Sequence, residues 1–313
     1  MDCFLRLLFS PDLFCIVSDY QHGTYHRKHP LRRLPTPRIR RGIIFEEWAK
    51  EDMARVDAVL AHWYSVHGLD RMSYLLRFVP RQVVAVHATY FGHMRVFHAL
   101  LQLVPLESIS DSLIDWAAFH GELPMIHVLD TFFSHAPKRT HLIRMGSALA
   151  IDLAATEGHM QVVLWLHETA QWRHKCSVHA MDGAARNGHL DVVQWLHAQG
   201  YACTSKAVDD ASRNGHMSVV EWLTALGIPA TKAAMNGAAA AGHLTMVQYL
   251  HRHRKEGCTR EAMDAAARGG HLPTVQWLHQ HRREGCTVEA IDGAARHGHV
   301  HVVEWLLAHR QEG

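Results

Sequence analysis

A glycine–histidine pair recurs at nearly constant spacing along the second half of the chain, and this repeat constrains the fold more than any other feature. The pairs begin at positions 158, 188, 215, 242, 270 and 298, so successive copies lie 27 to 30 residues apart. Two looser copies precede them, at Gly92-His93 and Gly121-Glu122. Eight copies in phase predict a repeat architecture, in which each short unit buries its apolar face against the next.

Each unit is predicted to be a pair of short helices, as residues 258–285 illustrate. Thr259 is a suitable N-cap for an alanine-rich first helix. Gly269-Gly270 ends that helix, because glycine adopts the left-handed C-cap conformation at little cost. Pro273 suits the first turn of a second helix, where the backbone N–H groups have no helical partner. The chain is therefore predicted to be all-α.

Side-chain size differs between the two helices of a unit. The first helix carries a pair of alanines ahead of the glycine, and the small side chains allow neighbouring helices to approach closely. The second carries a large aromatic residue at one equivalent position: Trp165, Trp195, Trp222, Tyr249, Trp277 and Trp305. Because these aromatics keep helical spacing with Val-Val and Leu, we expect them in the core rather than in an exposed strip for bases or sugars.

Residues 188–196, Gly-His-Leu-Asp-Val-Val-Gln-Trp-Leu, resemble the ankyrin motif, in which an Ala-Ala-x-x-Gly-His turn leads into a Val-Val-x-x-Leu helix. The resemblance covers about residues 81–313. It implies an all-α, ankyrin-type helical repeat solenoid of about eight repeats. The units are shorter than the family's roughly 33 residues, and the Thr-Pro-Leu-His box is missing. The partner contacts of the usual projecting hairpin therefore cannot be transferred to this chain.

The resemblance also implies where partners bind, since the two residues after each Ala-Ala pair tend to face a concave groove in this family. The predicted partner-binding residues are Tyr90, Phe91, Phe119, His120, Arg186, Asn187, Arg213, Asn214, Arg268, Arg296 and His297. Arginine binds carboxylate and phosphate groups through paired hydrogen bonds. The predicted partner is thus another protein, with an acidic or phosphorylated segment; a solvated polar face without a partner is the alternative.

No metal or cofactor is predicted. The turn histidines and the cysteines of successive repeats should lie about 10 Å apart, whereas zinc ligands sit about 2.1 Å from the metal. In the resembled family the turn histidine is a structural hydrogen bonder. The local string His297-x-His299-x-His301 offers three ligands without a fourth. Weak metal binding or a pH response there is left open.

The region before the repeats divides into three predicted parts. Residues 1–25 form a short helical segment whose Ser10–Tyr20 stretch is similar to the opening of an F-box, although an ordinary capping helix also fits. Residues 26–44 form a basic, proline-containing linker, with a nuclear import signal as the alternative. Residues 45–80 form an N-terminal helical cap, and residues 81–313 form the ankyrin repeats.

The bulk properties exclude several functional classes. A formal net charge of +2 gives no case for nucleic acid binding, and no apolar run has the roughly 20 residues of a membrane helix. The six cysteines suggest no disulfide framework, so we expect a cytoplasmic or nuclear protein. No phosphate-binding loop, nucleophile elbow or zinc-protease motif occurs, so we predict that the protein is not an enzyme.

The sequence therefore predicts a non-catalytic scaffold or adaptor that binds a protein along the groove of the repeat stack. The alternative is an F-box-like substrate receptor of a ubiquitin ligase, if residues 1–25 bind a ligase adaptor. No polar capping repeat follows the last unit. We accordingly expect that the chain continues beyond residue 313 or that this end packs on another molecule, with self-association as one outcome.

Overall fold

The computed structural model describes residues 45–105, 108–109, 112–134, 149–169 and 176–309, together with Leu31 and Leu34. Within these residues the secondary structure is helical, and no strand is present. The F-box-like segment 1–25 lies outside the described residues, as does most of the predicted linker 26–44. Leu31, one described residue of that linker, is buried.

The chain divides into two compact units. The first comprises residues 1–117 and 124–146, and the second comprises residues 118–123 and 147–313. The boundary predicted between a cap and the repeats, at residue 80, falls inside the first unit. The residues of helices α5 and α6, defined below, are shared between the two units.

The first part of the chain begins with a long helix and continues with shorter ones. The elements are α1 (Phe45–His67), a 3₁₀ turn (Leu69–Arg71), α2 (Met72–Leu75), α3 (Arg81–Tyr90), α4 (Met94–Leu101), α5 (Leu113–His120) and α6 (Leu123–Ser134). The core of the first unit contains large, fully buried side chains, including Met53, Leu60, Phe97 and Trp116. The predicted cap at 45–80 corresponds to α1 and α2.

In the part that the structure describes, the rest of the second unit consists of six helix pairs. The first helices are α7 (Leu149–Thr156), α9 (Val178–Arg186), α11 (Ser205–Arg213), α13 (Lys232–Ala240), α15 (Arg260–Arg268) and α17 (Val288–Arg296). The second helices are α8 (Met160–Glu168), α10 (Leu190–Ala198), α12 (Met217–Ala225), α14 (Leu244–His253), α16 (Leu272–His281) and α18 (Val300–His309). Each first helix packs on the first helix of the next pair and on its own second helix.

A common turn joins the two helices of each pair. At Gly188 the backbone has φ +84°, in the left-handed region that glycine adopts without strain. The next residue, His189, donates its backbone N–H to the carbonyl oxygen of Ala184 at 2.9 Å. This six-to-one hydrogen bond is the Schellman C-cap, and it turns the chain into the second helix. The same bond recurs at the five other turns of this unit.

The two helices contribute differently to the core. The alanine pairs of the first helices are fully buried in every repeat but the last, as Ala184 and Ala185 are, and close helix packing explains their size. The second helices bury the Val-Val pair and the leucine that follows, such as Val192, Val193 and Leu196. The expectation that small first helices alternate with bulkier second helices is confirmed in these repeats.

Candidate partner-binding surface

A buried carboxylate links each first helix to the beginning of the next one. Asp209 of α11 is 6% exposed and accepts two hydrogen bonds from Thr231, from the backbone N at 2.8 Å and from Oγ1 at 2.7 Å. Thr231 is also the N-cap of α13, because its Oγ1 accepts from the backbone N of Ala233 at 3.1 Å. One threonine thus joins the repeats and caps a helix.

The same arrangement recurs along the stack, and we call it the Asp–Thr clamp. Its members are Asp152 with Ser177, Asp182 with Thr204, Asp209 with Thr231, and Asp264 with Thr287. Burial raises the pKa of Asp152, and the hydrogen bonds from Ser177 oppose that shift. The clamp provides the inter-repeat polar contact in units that lack the Thr-Pro-Leu-His box.

One clamp has an amide in place of the carboxylate. Asn236 accepts from the backbone N of Thr259 at 3.0 Å, and its Nδ2 donates to Thr259 Oγ1 at 2.8 Å. The hydroxyl group therefore receives a hydrogen bond where its counterparts donate one. Thr259 makes no side-chain cap hydrogen bond, unlike the other four clamp residues. Only an acid at this position allows the threonine both to contact the preceding repeat and to cap its own helix.

The turn histidines pack over the glycine of the preceding repeat. A Cβ atom added at Gly121 would lie 2.6 Å from Nδ1 of His159, and one added at Gly270 would lie 2.6 Å from Nδ1 of His299. Nε2 of His159 donates to the carbonyl oxygen of Phe119 at 3.2 Å. Glycine is therefore required at the turn for two reasons: its φ is positive, and the histidine ring leaves no space for a Cβ atom.

Two of the turn histidines have a pKa shifted towards the neutral state. Burial lowers the pKa of His159 and of His216, although a backbone carbonyl hydrogen bond opposes the shift in each case. Nε2 of His301 donates to the carbonyl oxygen of Gly270 at 3.3 Å, and Nδ1 of His297 donates to that of Gly293 at 2.8 Å. Among the described residues, the string 297–301 forms no convergent metal site.

Four of the predicted partner-binding residues are arginines that end a first helix. We call Arg186, Arg213, Arg268 and Arg296 the arginine row; they are the last residues of α9, α11, α15 and α17. Arg213 and Arg296 are exposed, with 55% and 62% of their side chains accessible. Arg268 is exposed and Arg186 is half-buried.

The next first helix makes room for the arginine stems. A Cβ atom added at Gly237 would lie 2.9 Å from Cβ of Arg213 and 3.1 Å from its Nε. One added at Gly293 would lie 3.3 Å from Cβ of Arg268. A side chain at either glycine would displace the arginine, so the stack fixes where the row lies.

The row has acidic neighbours on the protein itself. Nη1 of Arg213 lies 3.3 Å from Oδ1 of Asp210, and Nη2 of Arg296 lies 2.9 Å from Oε2 of Glu289. Because these pairs are exposed, each contributes at most about 1 kcal/mol. A ligand carboxylate or phosphate that meets several arginines at once can therefore compete with them.

The two asparagines of the predicted surface have a structural contact. Nδ2 of Asn187 donates to the carbonyl oxygen of Thr156 at 2.8 Å, and Nδ2 of Asn214 donates to that of Arg186 at 2.8 Å. Each amide therefore satisfies a carbonyl group at the C-terminal end of the preceding first helix. The spacing alone did not reveal this role.

The aromatic members of the predicted surface differ in exposure. Tyr90 is 4% exposed and contacts Trp116 edge to face, with ring centroids 6.1 Å apart. Phe119 is 1% exposed. These two residues belong to the cores of their units. Their rings are buried and are not available to contact a partner. Phe91 is half-buried, whereas His120 is exposed, with Nδ1 3.4 Å from Oε1 of Glu122.

The tryptophans of the second helices are half-buried, so the prediction that they lie in the core is wrong. Trp222 contacts His197 of the preceding repeat edge to face, with ring centroids 5.3 Å apart, and Trp277 contacts His251 in the same way at 5.2 Å. The valines and leucine occupy the buried stripe instead. The aromatic position thus forms a ladder of tryptophan and histidine rings along the second helices.

The four described cysteines are free thiols, at positions 176, 203, 258 and 286. Burial raises the pKa of Cys176 to about 12, with a contribution from the charge of Asp152. Burial also raises the pKa of Cys203 and of Cys258. Because the thiolate is the reactive form, these groups are poor nucleophiles and poor metal ligands.

The last hairpin exposes groups that its predecessors bury. Ala295 is exposed, whereas the equivalent Ala267 is fully buried, and no atom lies within 4 Å of a Cβ added at Gly298. Val300 and Leu307 are 62% and 65% exposed. Self-association through this surface stays a prediction.

The fold and its repeated interface define a helical repeat protein built from stacked helix pairs. Comparison with family models identifies ankyrin repeats in many copies, at residues 151–197, 232–279 and 263–307. The matched segments are therefore ankyrin repeats, as predicted; α11 and α12, which lie between them, form the same hairpin. No curated protein matches the chain.

Ankyrin repeats are generally protein–protein interaction modules, and the family is typically non-catalytic. Among the described residues, every helix is too short or too polar to cross a lipid bilayer.

Proposed function

We propose that this protein is a non-catalytic scaffold or adaptor that holds a partner protein through the arginine row. The partner segment is acidic or phosphorylated. The observation that carries the proposal is the equivalent placement of Arg213, Arg268 and Arg296, all exposed and each at the end of a first helix. No observation on the described residues favours the ubiquitin-ligase alternative.

The geometry suits an extended anionic segment. Neighbouring first helices pack side by side, and packed helices are about 10 Å apart. An extended chain advances about 3.3 Å per residue, so acidic groups about three residues apart match adjacent repeats. Because Ala240 interrupts the row between Arg213 and Arg268, the best segment has two acidic clusters with a gap between them.

A second physical role competes with binding. Cations near a helix C-terminus stabilise it through the helix dipole by about 0.3–1 kcal/mol, and every member of the row occupies that position. Lysine retains this effect but lacks the planar fork that contacts two oxygens at once. Arg213→Lys combined with Arg268→Lys and Arg296→Lys should therefore preserve stability while weakening partner binding.

Charge reversal tests the proposal more strongly. The row variant combines Arg213→Glu, Arg268→Glu and Arg296→Glu. The matched control reverses the charge of three exposed cations that lie at or just after the end of a second helix. They are Arg252, Lys255 and Arg283. Both variants change the net charge equally, so a general electrostatic effect would appear in both.

The readout is quantitative affinity capture from cell extract with the three proteins side by side, after circular dichroism has shown equal helicity. We expect specific partners of the unmodified protein to be lost with the row variant and retained with the control. Retention of the same partners by the row variant would overturn the proposal. Loss with both variants would also reject the row as the specific surface.

A further inference from the structure

The first unit contains a cluster of metal-ligating side chains that the partner-binding surface does not use. Asp57 of α1, His87 of α3 and His93 of the turn before α4 each offer a ligand atom, and these atoms lie within 4.8 Å of one another. Nε2 of His87 donates to Oδ1 of Asp57 at 2.9 Å. The rings of His87 and His93 have centroids 5.2 Å apart.

The cluster is poorly explained as a packing contact. His87 is fully buried, yet among the described residues its Nδ1 has no hydrogen-bond partner, and neither has the buried hydroxyl group of Tyr64. The ring centroids of Tyr64 and His87 are 5.8 Å apart. A buried polar atom without a partner costs about 1–3 kcal/mol, so an apolar side chain would fill this space at lower cost.

Both histidines depart from their counterparts in later repeats. The position of His87 is occupied there by residues such as Gly183, Gly237 and Gly293, which leave space for a side chain of the preceding repeat. The turn histidine of a later repeat, His159, lies over a glycine and donates to a carbonyl oxygen. His93 instead lies beside a second imidazole and a carboxylate.

We propose that Asp57, His87 and His93 bind a divalent transition-metal ion of the Zn²⁺ class. Zinc bonds to nitrogen and oxygen are about 2.0–2.1 Å long, so ligand atoms in a tetrahedral site lie about 3.3 Å apart. Nε2 of His87 and Oδ1 of Asp57, at 2.9 Å, need only a small separation, with the ion replacing the proton between them. His93 completes the set by a side-chain rotation.

The cluster joins one fully buried ligand to two that solvent can reach. The side chain of Asp57 is 37% exposed and His93 is half-buried, so the ion can enter from solvent. Water supplies the fourth ligand.

The ion would join α1 to the first helix pair. Because its three ligands come from α1, α3 and the following turn, binding restrains these elements together and stabilises the folded first unit by mass action. The role inferred for the site is therefore structural, and it is independent of the arginine row.

The test uses the full chain, stripped with chelator, and Zn²⁺ or Co²⁺ alone as the probe. Asp57→Asn and His93→Asn remove ligands without opening the core, which avoids the folding risk of changing His87. His62→Ala on α1 and His301→Ala in the last repeat remove exposed histidines as matched controls. Calorimetry gives stoichiometry and affinity, thermal melting gives stabilisation, and Co²⁺ absorption gives geometry.

We expect one tight Zn²⁺ equivalent, a rise in melting temperature and a tetrahedral Co²⁺ spectrum for the unmodified protein and both controls. Asp57→Asn and His93→Asn should each weaken Zn²⁺ binding more than about 10-fold, since loss of even an outer-shell partner has an effect of that size. Failure of the unmodified protein to bind, or unchanged binding by the two ligand variants, would overturn the proposal.

Discussion

Changing Asn236 to aspartate should stabilise the protein, although it places a charge in a half-buried position. In the present chain the hydroxyl group of Thr259 accepts from Asn236 Nδ2 and makes no cap hydrogen bond. In the equivalent clamp, Thr231 Oγ1 donates to Asp209 and accepts from the N–H of Ala233. A carboxylate at position 236 would restore that orientation and with it the cap of α15.

The size of the effect follows from three terms. A side-chain N-cap contributes about 1 kcal/mol. A hydrogen bond accepted by a carboxylate contributes about 2 kcal/mol rather than about 1, and a carboxylate at position 236 would accept from both the N–H and the hydroxyl group of Thr259, the two groups that now contact Asn236. Desolvation of the new charge opposes these gains. We therefore expect Asn236→Asp to raise the free energy of unfolding by about 1 kcal/mol at pH 7.

Urea unfolding followed by circular dichroism measures this difference, and thermal melting should show a rise of roughly 2–4 °C. Two further variants complete the design. Asp209→Asn should lose a similar amount, and Thr259→Val should abolish the gain from Asn236→Asp. If Asn236→Asp is neutral or destabilising while Asp209→Asn is tolerated, the clamp does not act as described.

Three more predictions concern the turns and the buried titratable groups. Gly188→Ala should destabilise the protein by about 2–3 kcal/mol in urea unfolding, because φ is +84° and the added Cβ would collide with the ring of His216. Gly200→Ala, with φ +82° and open space around it, should cost only the backbone strain of about 1–2 kcal/mol, and equal losses would refute the packing role. The folded-state pKa of His216 is below its unfolded value of about 6.5, so its contribution is complete above that pH and is lost as pH falls below it. His216→Gln should accordingly flatten the decline of stability between about pH 6.5 and pH 5, and an unchanged slope would contradict this sign. Cys176, whose pKa is raised to about 12, should react with iodoacetamide at pH 8 far more slowly in the folded than in the urea-unfolded protein, as peptide mass spectrometry can show.

The repeat and its helix pairs were predictable because their causes are local. Glycine at the turn, proline in the first helical turn and the alanine pairs each act within one unit. Each is therefore visible in the sequence as one residue type at a fixed spacing. The turn between Arg186 and Leu190 follows from such signals alone, and its hydrogen bonds are those of the expected C-cap. The number and order of the hairpins follow from the same spacing.

The clamp was missed even though its signal is present in the sequence. An acid or amide stands six residues before the glycine in the six units from Gly158 to Gly298, as Asp182 and Asp209 do, and in five of them a serine or threonine follows 22–25 residues later. The pattern joins residues of different units. Within a single unit, the threonine is recognisable as a helix cap, but the aspartate has no partner. Its partner is the threonine of the next unit.

Burial was harder to predict than periodicity. Trp222 keeps the spacing of the apolar stripe but lies at its edge, beside His197 of the preceding repeat. Tyr90 and Phe119 share the equivalent position with the arginine row but are covered by their own units. Spacing places a residue on a helix face, whereas its exposure depends on neighbours that come from other repeats. The cluster of Asp57, His87 and His93 could not be predicted from the sequence for the same reason, because its residues come from different elements.

The most direct test of the account is the affinity of a captured partner segment for the arginine row. Isothermal titration calorimetry would compare the unmodified protein with the variant carrying Arg213→Glu, Arg268→Glu and Arg296→Glu, and with the matched reversal of Arg252, Lys255 and Arg283. We predict a loss of at least about 30-fold for the row variant, since three lost charge contacts of up to about 1 kcal/mol each sum to roughly 2–3 kcal/mol, and little change for the control. Equal dissociation constants for the unmodified protein and the row variant would contradict the account.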